Sequence, residues 1–109
     1  LFINLFENHP NYLIQKEIDK SSWFGFSLVI KPDSKIKRKK VIELLEKNKI
    51  ESRPIVAGNF LRNSVMKYFD YEVHNELKNA NHIHDNGFFV GNSHKNLTEN
   101  IKFLKNILS

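Results

Sequence analysis

The stretch from Trp23 to Ile30, WFGFSLVI, limits the fold of this chain more than any other part of the sequence. Aromatic and β-branched residues fill it, and the turn-forming residues 31–34, KPDS, follow directly. This pattern predicts a buried strand that ends in a turn. A second strand is predicted at Gly87–Gly91, and a shorter one at Ile50–Ile55, where Pro54 favours an edge position. The aromatic residues of the first two strands are predicted to lie in the core: Trp23, Phe24, Phe26, Phe88 and Phe89.

Two helices are predicted between and after these strands. Apolar residues recur at intervals of three and four within residues 36–48 and again within residues 97–108, which places them on one helical face. The sequence therefore predicts an α+β fold in which a small antiparallel sheet of about three strands is covered by two main helices. Shorter pieces are predicted as helix at residues 1–7, 65–69 and 76–84, and as extended chain at residues 12–14.

The size and composition of the chain exclude several classes of protein. Its 109 residues suffice for one domain with a modest core. It contains no cysteine, so it supplies no disulfide, thiolate nucleophile or iron–sulfur ligand. No run approaches the ~18 consecutive apolar residues of a membrane helix, and the opening LFINLFENHP lacks the pattern of a signal peptide. We therefore expect no membrane contact and a cytoplasmic location.

The chain is basic, with a net charge of +5, and such a balance favours an anionic partner. Much of the charge lies in one run at Lys35–Lys40, KIKRKK, which is interpreted first as the solvated start of a helix. Nucleic-acid grooves usually place aromatic side chains beside the basic ones. Here the aromatic residues cluster elsewhere, so a nucleic-acid partner is not favoured. A free-standing basic module that binds nucleic acid or protein stays open as an alternative.

Five histidines raise the question of a metal site, above all in the run His82-Ile83-His84-Asp85. Side chains two residues apart share a face on a strand, whereas on a helix they diverge by about 200°. Zinc sites usually need four ligands, so we predict no metal and interpret His84 as a hydrogen-bonded or substrate-facing side chain. No P-loop, nucleophile elbow or dinucleotide motif is present, and no catalytic residue is predicted.

The order of several sequence segments carries a resemblance to a known family. SSWFGFSLVI is followed by a helix, by SRPIVAGNF, by HIHDNGFFVGN and by a last amphipathic helix. Over about Trp23–Leu108 this arrangement resembles the end of the DegT-type sugar aminotransferases, and more narrowly the lipopolysaccharide-biosynthesis dehydrases that act on CDP-4-keto-6-deoxyglucose at C3. The resemblance implies the small C-terminal domain of a fold-type I pyridoxal phosphate enzyme at residues 23–109. Residues 1–22 are then the end of an interdomain helix and a linker.

In that family a large N-terminal domain carries pyridoxal or pyridoxamine phosphate, and the resemblance implies that this chain lacks that domain. The implied reaction removes the C3 hydroxyl of a 4-keto-6-deoxy sugar in O-antigen biosynthesis, with amino transfer as the alternative. The implied partners are the nucleotide-linked sugar, the protein's own large domain and a second subunit of a homodimer. The chain alone is expected to bind no cofactor and to be inactive. An iron–sulfur cluster elsewhere in the protein stays an open question.

The resemblance also implies that this domain helps to hold the sugar nucleotide. Arg53 is the leading contact because its planar cation suits phosphate or sugar oxygens, with a surface ion pair as the alternative. Asn59 offers a donor and an acceptor for sugar hydroxyls, and Phe60 can pack on a sugar face or anchor the loop. His84 and Asn86 lie just before the last strand, where related enzymes approach the substrate.

Overall fold

The computed structural model describes all residues from 1 to 109. The chain forms four strands: β1 (Tyr12–Ile14), β2 (Gly25–Ile30), β3 (Ser52–Arg53) and β4 (Gly87–Gly91). It also forms four helices: α1 (Phe2–Phe6), α2 (Arg38–Lys47), α3 (Lys78–Asn86) and α4 (Thr98–Leu108). Two 3-10 turns, Phe60–Arg62 and Ser64–Tyr68, lie between β3 and α3. None of the helices has the length and apolar composition that crossing a bilayer requires.

The four strands form one antiparallel sheet in the order β1-β2-β4-β3. At its centre β2 pairs with β4, and Leu28 lies opposite Phe88. β3 is short because Pro54, which follows it, has no N–H with which to extend the ladder. The predicted α+β class is confirmed, and the expected count of about three strands becomes four.

The additional strand is β1, where the sequence predicts no more than an extended piece. Tyr12 is 2% exposed and lies opposite Ile30 of β2. Phe2 and Phe6, one helical turn apart in α1, are buried as well. The first 14 residues therefore contribute to the same core as the rest of the chain. The division into a linker at residues 1–22 and a small domain at residues 23–109 stays a prediction.

The core lies on one face of the sheet, beneath α1, α2 and α4. Along β2, Leu28 and Ile30 point into it and are at most 1% exposed, while Val29 between them faces the other side. Burying a side chain of this size contributes ~1.5–3 kcal/mol, so this layer supplies most of the stability. Its members are Phe2, Phe6, Tyr12, Leu28, Ile30, Val41, Leu45, Phe88, Val90, Ile101, Leu104 and Leu108.

Helix α3 differs from the other helices because none of its nine residues is buried. It follows the long connection from β3 and runs directly into β4 at Gly87. A helix this short is unstable in isolation, and packing of an apolar face usually holds it. Its apolar packing is limited to half-buried residues such as Ile83, so polar contacts contribute to holding α3 in place.

Candidate functional site

The connection between β3 and α3 folds back onto α3, and Asn59 is its innermost residue. Nδ2 of Asn59 donates to Oδ1 of Asn81 at 2.9 Å, and the backbone N–H of Asn59 donates to Nδ1 of His84 at 3.0 Å. Oδ1 of Asn59 accepts from the backbone N–H of Leu61 at 3.1 Å. Asn59 is 6% exposed, so both ends of its amide are used inside the protein.

An ion pair fastens the same loop a few residues further on. Nη1 of Arg62 donates to Oδ1 of Asp85 at 2.7 Å. This hydrogen bond is the main reason why the pKa of Asp85 lies below its ordinary value. Asp85, His84 and Asn81 are three and four residues apart and so share one face of α3. Loop 58–62 is therefore held at three points by a single helical face.

Gly58 allows the loop to approach the ring of His84 closely. Its φ is +58°, and a Cβ at this position would lie 2.6 Å from Nδ1 of His84. Residues with a side chain avoid this backbone region. The N–H of Asn59 makes Nδ1 an acceptor, so the proton of the neutral ring sits on Nε2. Nε2 makes no hydrogen bond within the chain and is available as a donor.

The opposite side of α3 faces the sheet. Nε2 of His82 lies 2.7 Å from the carbonyl oxygen of Ile30, and Nδ2 of Asn86 donates to the carbonyl of His82 at 3.1 Å. The two imidazoles of the HIHD run thus diverge as its helical spacing requires. No set of three His, Cys, Asp or Glu side chains is placed to hold a metal ion. Asn86 faces His82 and not loop 58–62.

Arg38, within the basic run, is a contact that sequence reasoning missed. Its Nη1 donates to the carbonyl oxygens of His84 and Gly87 at 3.0 and 3.1 Å. The lysines of the run are exposed, as the solvated-helix interpretation predicts. Arg38 is partly buried and binds the C-terminal end of α3. The one sequence signal is that an arginine stands among lysines, since its several fixed donors suit such a contact.

Arg53 lies on β3, apart from the cluster around Asn59. Its Nε and Nη2 donate to Oε1 of Glu51 at 3.1 and 2.7 Å. This is the surface ion pair that the sequence analysis gives as the alternative to a substrate contact. The side chain is 69% exposed and lines an open groove of about 290 Å³ with Phe24 and Phe89. Exposed pairs of this kind are weak, so an anionic ligand can displace Glu51.

Phe60 belongs to a set of large apolar side chains that the long connection leaves in solvent. It is 52% exposed, and the sequence pattern does not show that its neighbours are exposed too. We call this set the apolar arm. Its members are Val56, Phe60, Tyr68, Phe69, Tyr71 and Val73.

A second exposed apolar surface lies on the sheet, opposite the core. Leu13, Val29, Ile55 and Ile83 line a depression of about 510 Å³ there, which we call the open sheet face. Phe24, which the sequence places in the core, is 83% exposed. That prediction is wrong for Phe24, which precedes the first paired residue of β2 and is not covered by a helix. It is also wrong for Phe89, which lies between the buried Phe88 and Val90 on β4, faces away from the core and contacts the ring of Phe24.

Of the five predicted site residues, the structure brings Asn59 and His84 together, and Phe60 follows Asn59 in the same loop. Arg53 stands apart on the sheet edge, and Asn86 is turned towards the sheet through its bond to His82. Their role toward a substrate stays a prediction.

No family model matches the chain. Two relatives match it almost from end to end. GDP-4-keto-6-deoxy-D-mannose 3-dehydratase of Escherichia coli O55:H7 is 49% identical over 98% of the chain. The protein of the same name from Yersinia pseudotuberculosis is 48% identical over 99% of the chain. The chain spans 28% of the length of each. Lipopolysaccharide biosynthesis protein RfbH of Salmonella typhimurium is 34% identical over 64% of the chain and 16% of its own length.

Solved structures agree with these matches. The E. coli GDP-4-keto-6-deoxy-D-mannose-3-dehydratase with bound hydrated PLP is 49% identical, with a TM-score of 0.96 over 99% of this chain and 28% of its own. A mutant of GDP-4-keto-6-deoxymannose-3-dehydratase (ColD) with bound GDP-perosamine is also 49% identical, with a TM-score of 0.95 over the same shares. The match falls on the C-terminal part of these proteins. The resemblance to sugar-nucleotide 3-dehydratases is confirmed, although these relatives are named for a GDP-linked deoxymannose and not for the CDP-linked deoxyglucose that was expected.

Proposed function

We propose that this chain, which is homologous to the C-terminal part of sugar-nucleotide 3-dehydratases, forms the substrate-cleft domain of such an enzyme. The whole protein removes the C3 hydroxyl of GDP-4-keto-6-deoxymannose or a close analogue. The observation that carries this proposal is the 49% identity and TM-score of 0.96 over 99% of the chain. Membership of the DegT-type family, a role in lipopolysaccharide biosynthesis, a cytoplasmic location and a homodimer belong to the same proposal. Amino transfer is the alternative reaction.

The proposal includes pyridoxal or pyridoxamine phosphate, held by the rest of the protein. No lysine of this chain is buried, and the proposal assigns the cofactor to the rest of the protein. The two buried polar side-chain atoms without a partner, Nε2 of His9 and Oγ of Ser52, lie on different elements and do not form one pocket. When bound in its pyridoxamine form, the cofactor would supply an electron sink for breaking the C3–O bond and, by its own oxidation to pyridoxal phosphate, the two electrons that a 3-deoxy ketone product requires. The 109-residue chain alone is therefore inactive in our proposal.

The part of this chain in the reaction is to bind and orient the sugar nucleotide. Arg53 offers a permanently charged guanidinium to the diphosphate, in exchange for Glu51. Nε2–H of His84 donates to a sugar oxygen, because its other nitrogen is already occupied by Asn59. Phe60 covers an apolar sugar face and excludes water. Asn59 acts by shaping the loop, since its own amide is used internally.

The two exposed apolar surfaces support a partner inside the same protein. Monomeric proteins rarely leave large contiguous apolar patches in solvent, and this chain has both the apolar arm and the open sheet face. In our proposal the large domain covers the open sheet face, while the apolar arm lies at the cleft between domains. Burial of these side chains adds a hydrophobic contribution that holds the two domains together.

The test uses the whole protein with pyridoxamine phosphate and GDP-4-keto-6-deoxymannose. We expect conversion of the sugar to its 3-deoxy product, measured by mass spectrometry, and a rise in KM for Arg53→Ala of roughly tenfold, as loss of a charge-assisted hydrogen bond predicts. Lys40→Ala is the matched control, because it removes a similarly exposed cation that is paired to Glu43 on α2.

Three results would contradict the proposal in different ways. Conversion of the sugar without loss of the C3 hydroxyl, with an amino group gained instead, favours amino transfer. Equal KM values for Arg53→Ala and Lys40→Ala remove Arg53 from the site. An absence of both cofactor binding and turnover by the whole protein refutes the enzyme assignment itself.

A further inference from the structure

Helix α3 connects two sets of polar contacts that are far apart in the sequence. On one side its residues hold loop 58–62, and at its C-terminal end Arg38 of α2 binds the carbonyl groups of His84 and of Gly87, the first residue of β4. No residue of α3 is fully buried, and Ile83 is half-buried on the sheet face, so these hydrogen bonds act together with limited apolar packing to set where the helix lies. The position of the loop therefore depends on a residue in another helix.

The contact from Arg38 acts on the main chain of the residue that holds the loop. Nη1 donates to the carbonyl oxygen of His84 at 3.0 Å, and the ring of the same His84 accepts from the N–H of Asn59 at 3.0 Å. The last carbonyls of a helix lack partners within it, and a cation there also interacts favourably with the helix dipole. Arg38 thus fixes the end of α3 that carries the His84 ring towards loop 58–62.

The loop tolerates little movement of that ring. At Gly58, which has a φ of +58°, even an added methyl group would approach Nδ1 of His84 to 2.6 Å. A displacement of α3 towards the loop therefore presses the His84 ring against Gly58, and a displacement away from it lengthens the bond to Asn59. The neutral tautomer with Nε2–H also depends on that bond.

We infer that Arg38 is a positioning residue for substrate binding: it holds the end of α3 so that His84 keeps loop 58–62 in its binding conformation. This inference rests on the proposed function, which places the loop in the substrate cleft. Arg38 itself does not touch the substrate. Its loss should weaken ground-state binding of the sugar nucleotide and leave the chemical step nearly unchanged.

The first measurement is amide hydrogen exchange in the whole protein without substrate. In Arg38→Ala we expect exchange of the Asn59 amide to rise by roughly tenfold, as loss of a hydrogen bond from a charged donor predicts, while amides of β2 and β4 keep their protection. Arg38→Lys should restore part of the protection. Lys39→Ala is the control, because it removes a neighbouring exposed cation and should change nothing.

The second measurement is steady-state turnover of the GDP-linked sugar by the same variants. We expect KM to rise about tenfold in Arg38→Ala, with kcat within about twofold of the parent, and no change in Lys39→Ala. A general loss of protection in the sheet, or unchanged exchange at Asn59, overturns the inference. A fall in kcat with KM unchanged overturns it as well.

If Arg38→Ala does not fold, Arg38→Lys carries the same two measurements, and His84 variants test the link from the His84 ring to the loop. His84→Asn retains an acceptor near the position of Nδ1 and should preserve protection of the Asn59 amide, whereas His84→Leu removes the acceptor and should lose it. Equal exchange in the two variants contradicts the inference. If the parent protein turns over no sugar nucleotide, the proposed function fails, while the exchange measurements still decide whether Arg38 holds the loop.

Discussion

The helix-covered face of the sheet and the loop fastened to α3 are stabilised by different interactions. The first contains twelve buried apolar residues from six elements. The second has one buried side chain, Asn59, and is held by hydrogen bonds and an ion pair. Apolar burial is non-directional and tolerates small shifts, whereas hydrogen bonds weaken steeply with distance and angle. Stability is therefore concentrated in the core, and geometric precision in the loop, where the site is proposed.

The largest effect that would test this comparison is expected from the core. Phe88→Ala removes a fully buried ring at the centre of the sheet, and large-to-small changes of this kind cost ~3–5 kcal/mol. Phe24→Ala removes the same ring from a position that is 83% exposed and should cost less than about 0.5 kcal/mol. Urea unfolding of both variants measures the difference. Similar losses of stability in the two variants would show that the core is not where stability is concentrated.

A smaller effect is expected from the loop at Gly58. Gly58→Ala forces an L-residue into the left-handed region at a cost of ~1–2 kcal/mol, and it also pushes on the His84 ring. Gly91→Ala is the matched control, because nothing lies within 4 Å of the added methyl group. Urea unfolding gives the stabilities, and the NMR shift of the Asn59 amide reports its bond to His84. If Gly58→Ala leaves that amide unperturbed, the loop is less tightly constrained than the structure indicates.

The same contrast explains which features could be predicted from the sequence. GFFVG predicted β4 to the residue, because an apolar segment between two glycines has few alternatives. The apolar spacing located α2 and α4 to within a few residues, since burial of a stripe follows a regular period. Strand β1 was assigned as an extended piece and not as part of the sheet, because three mixed residues carry too little pattern.

The contacts of the loop follow no such period. Asn59 meets Asn81 and His84 across 22 and 25 residues of sequence, and Arg38 meets His84 across 46. Such pairs depend on the finished fold, so no local pattern indicates them. His84 was interpreted as a hydrogen-bonded or substrate-facing residue when a metal site was rejected, but its partner, the N–H of Asn59, became evident only from the structure. The resemblance proposes which residues form the site, and the structure shows how those residues are arranged.

The next prediction concerns a polar group inside the apolar layer. His9 is 1% exposed between the rings of Phe6 and Tyr12, and its Nε2 has no partner. Burial, helped by the charges of Lys105 and Lys31, holds the pKa of His9 below its ordinary value of 6.5. The unfolded chain therefore binds a proton more readily, and stability should fall as the pH drops below 6.5 until the folded-state pKa is reached.

Urea unfolding between pH 7.5 and pH 5 measures this dependence. His9→Asn keeps an acceptor for the Asn11 N–H, which donates to Nδ1 at 3.2 Å, but cannot titrate. It should be less stable than the parent at pH 7.5 and should lose less stability on acidification. His74→Asn, at an exposed position, is the control and should retain the slope of the parent. An unchanged slope in His9→Asn would assign the acid sensitivity to other groups.

The smallest effect is expected from the ion pair between Arg62 and Asp85. Because its pKa is lowered in the folded state, chiefly by the hydrogen bond from Arg62, Asp85 contributes stability above its ordinary pKa of 3.8. That contribution is lost as the pH falls through the lowered value. Arg62→Ala should raise the pKa of Asp85 towards its ordinary range, as followed by carbon NMR. Lys102→Ala, which breaks the exposed pair with Glu99, should leave the pKa of Asp85 unchanged.

Salt should shrink the difference in the pKa of Asp85 between Arg62→Ala and the parent, because solvent-exposed charges are screened. A pKa difference that persists unchanged at high salt would mean that the geometry of the hydrogen bond, and not charge, holds this end of the loop.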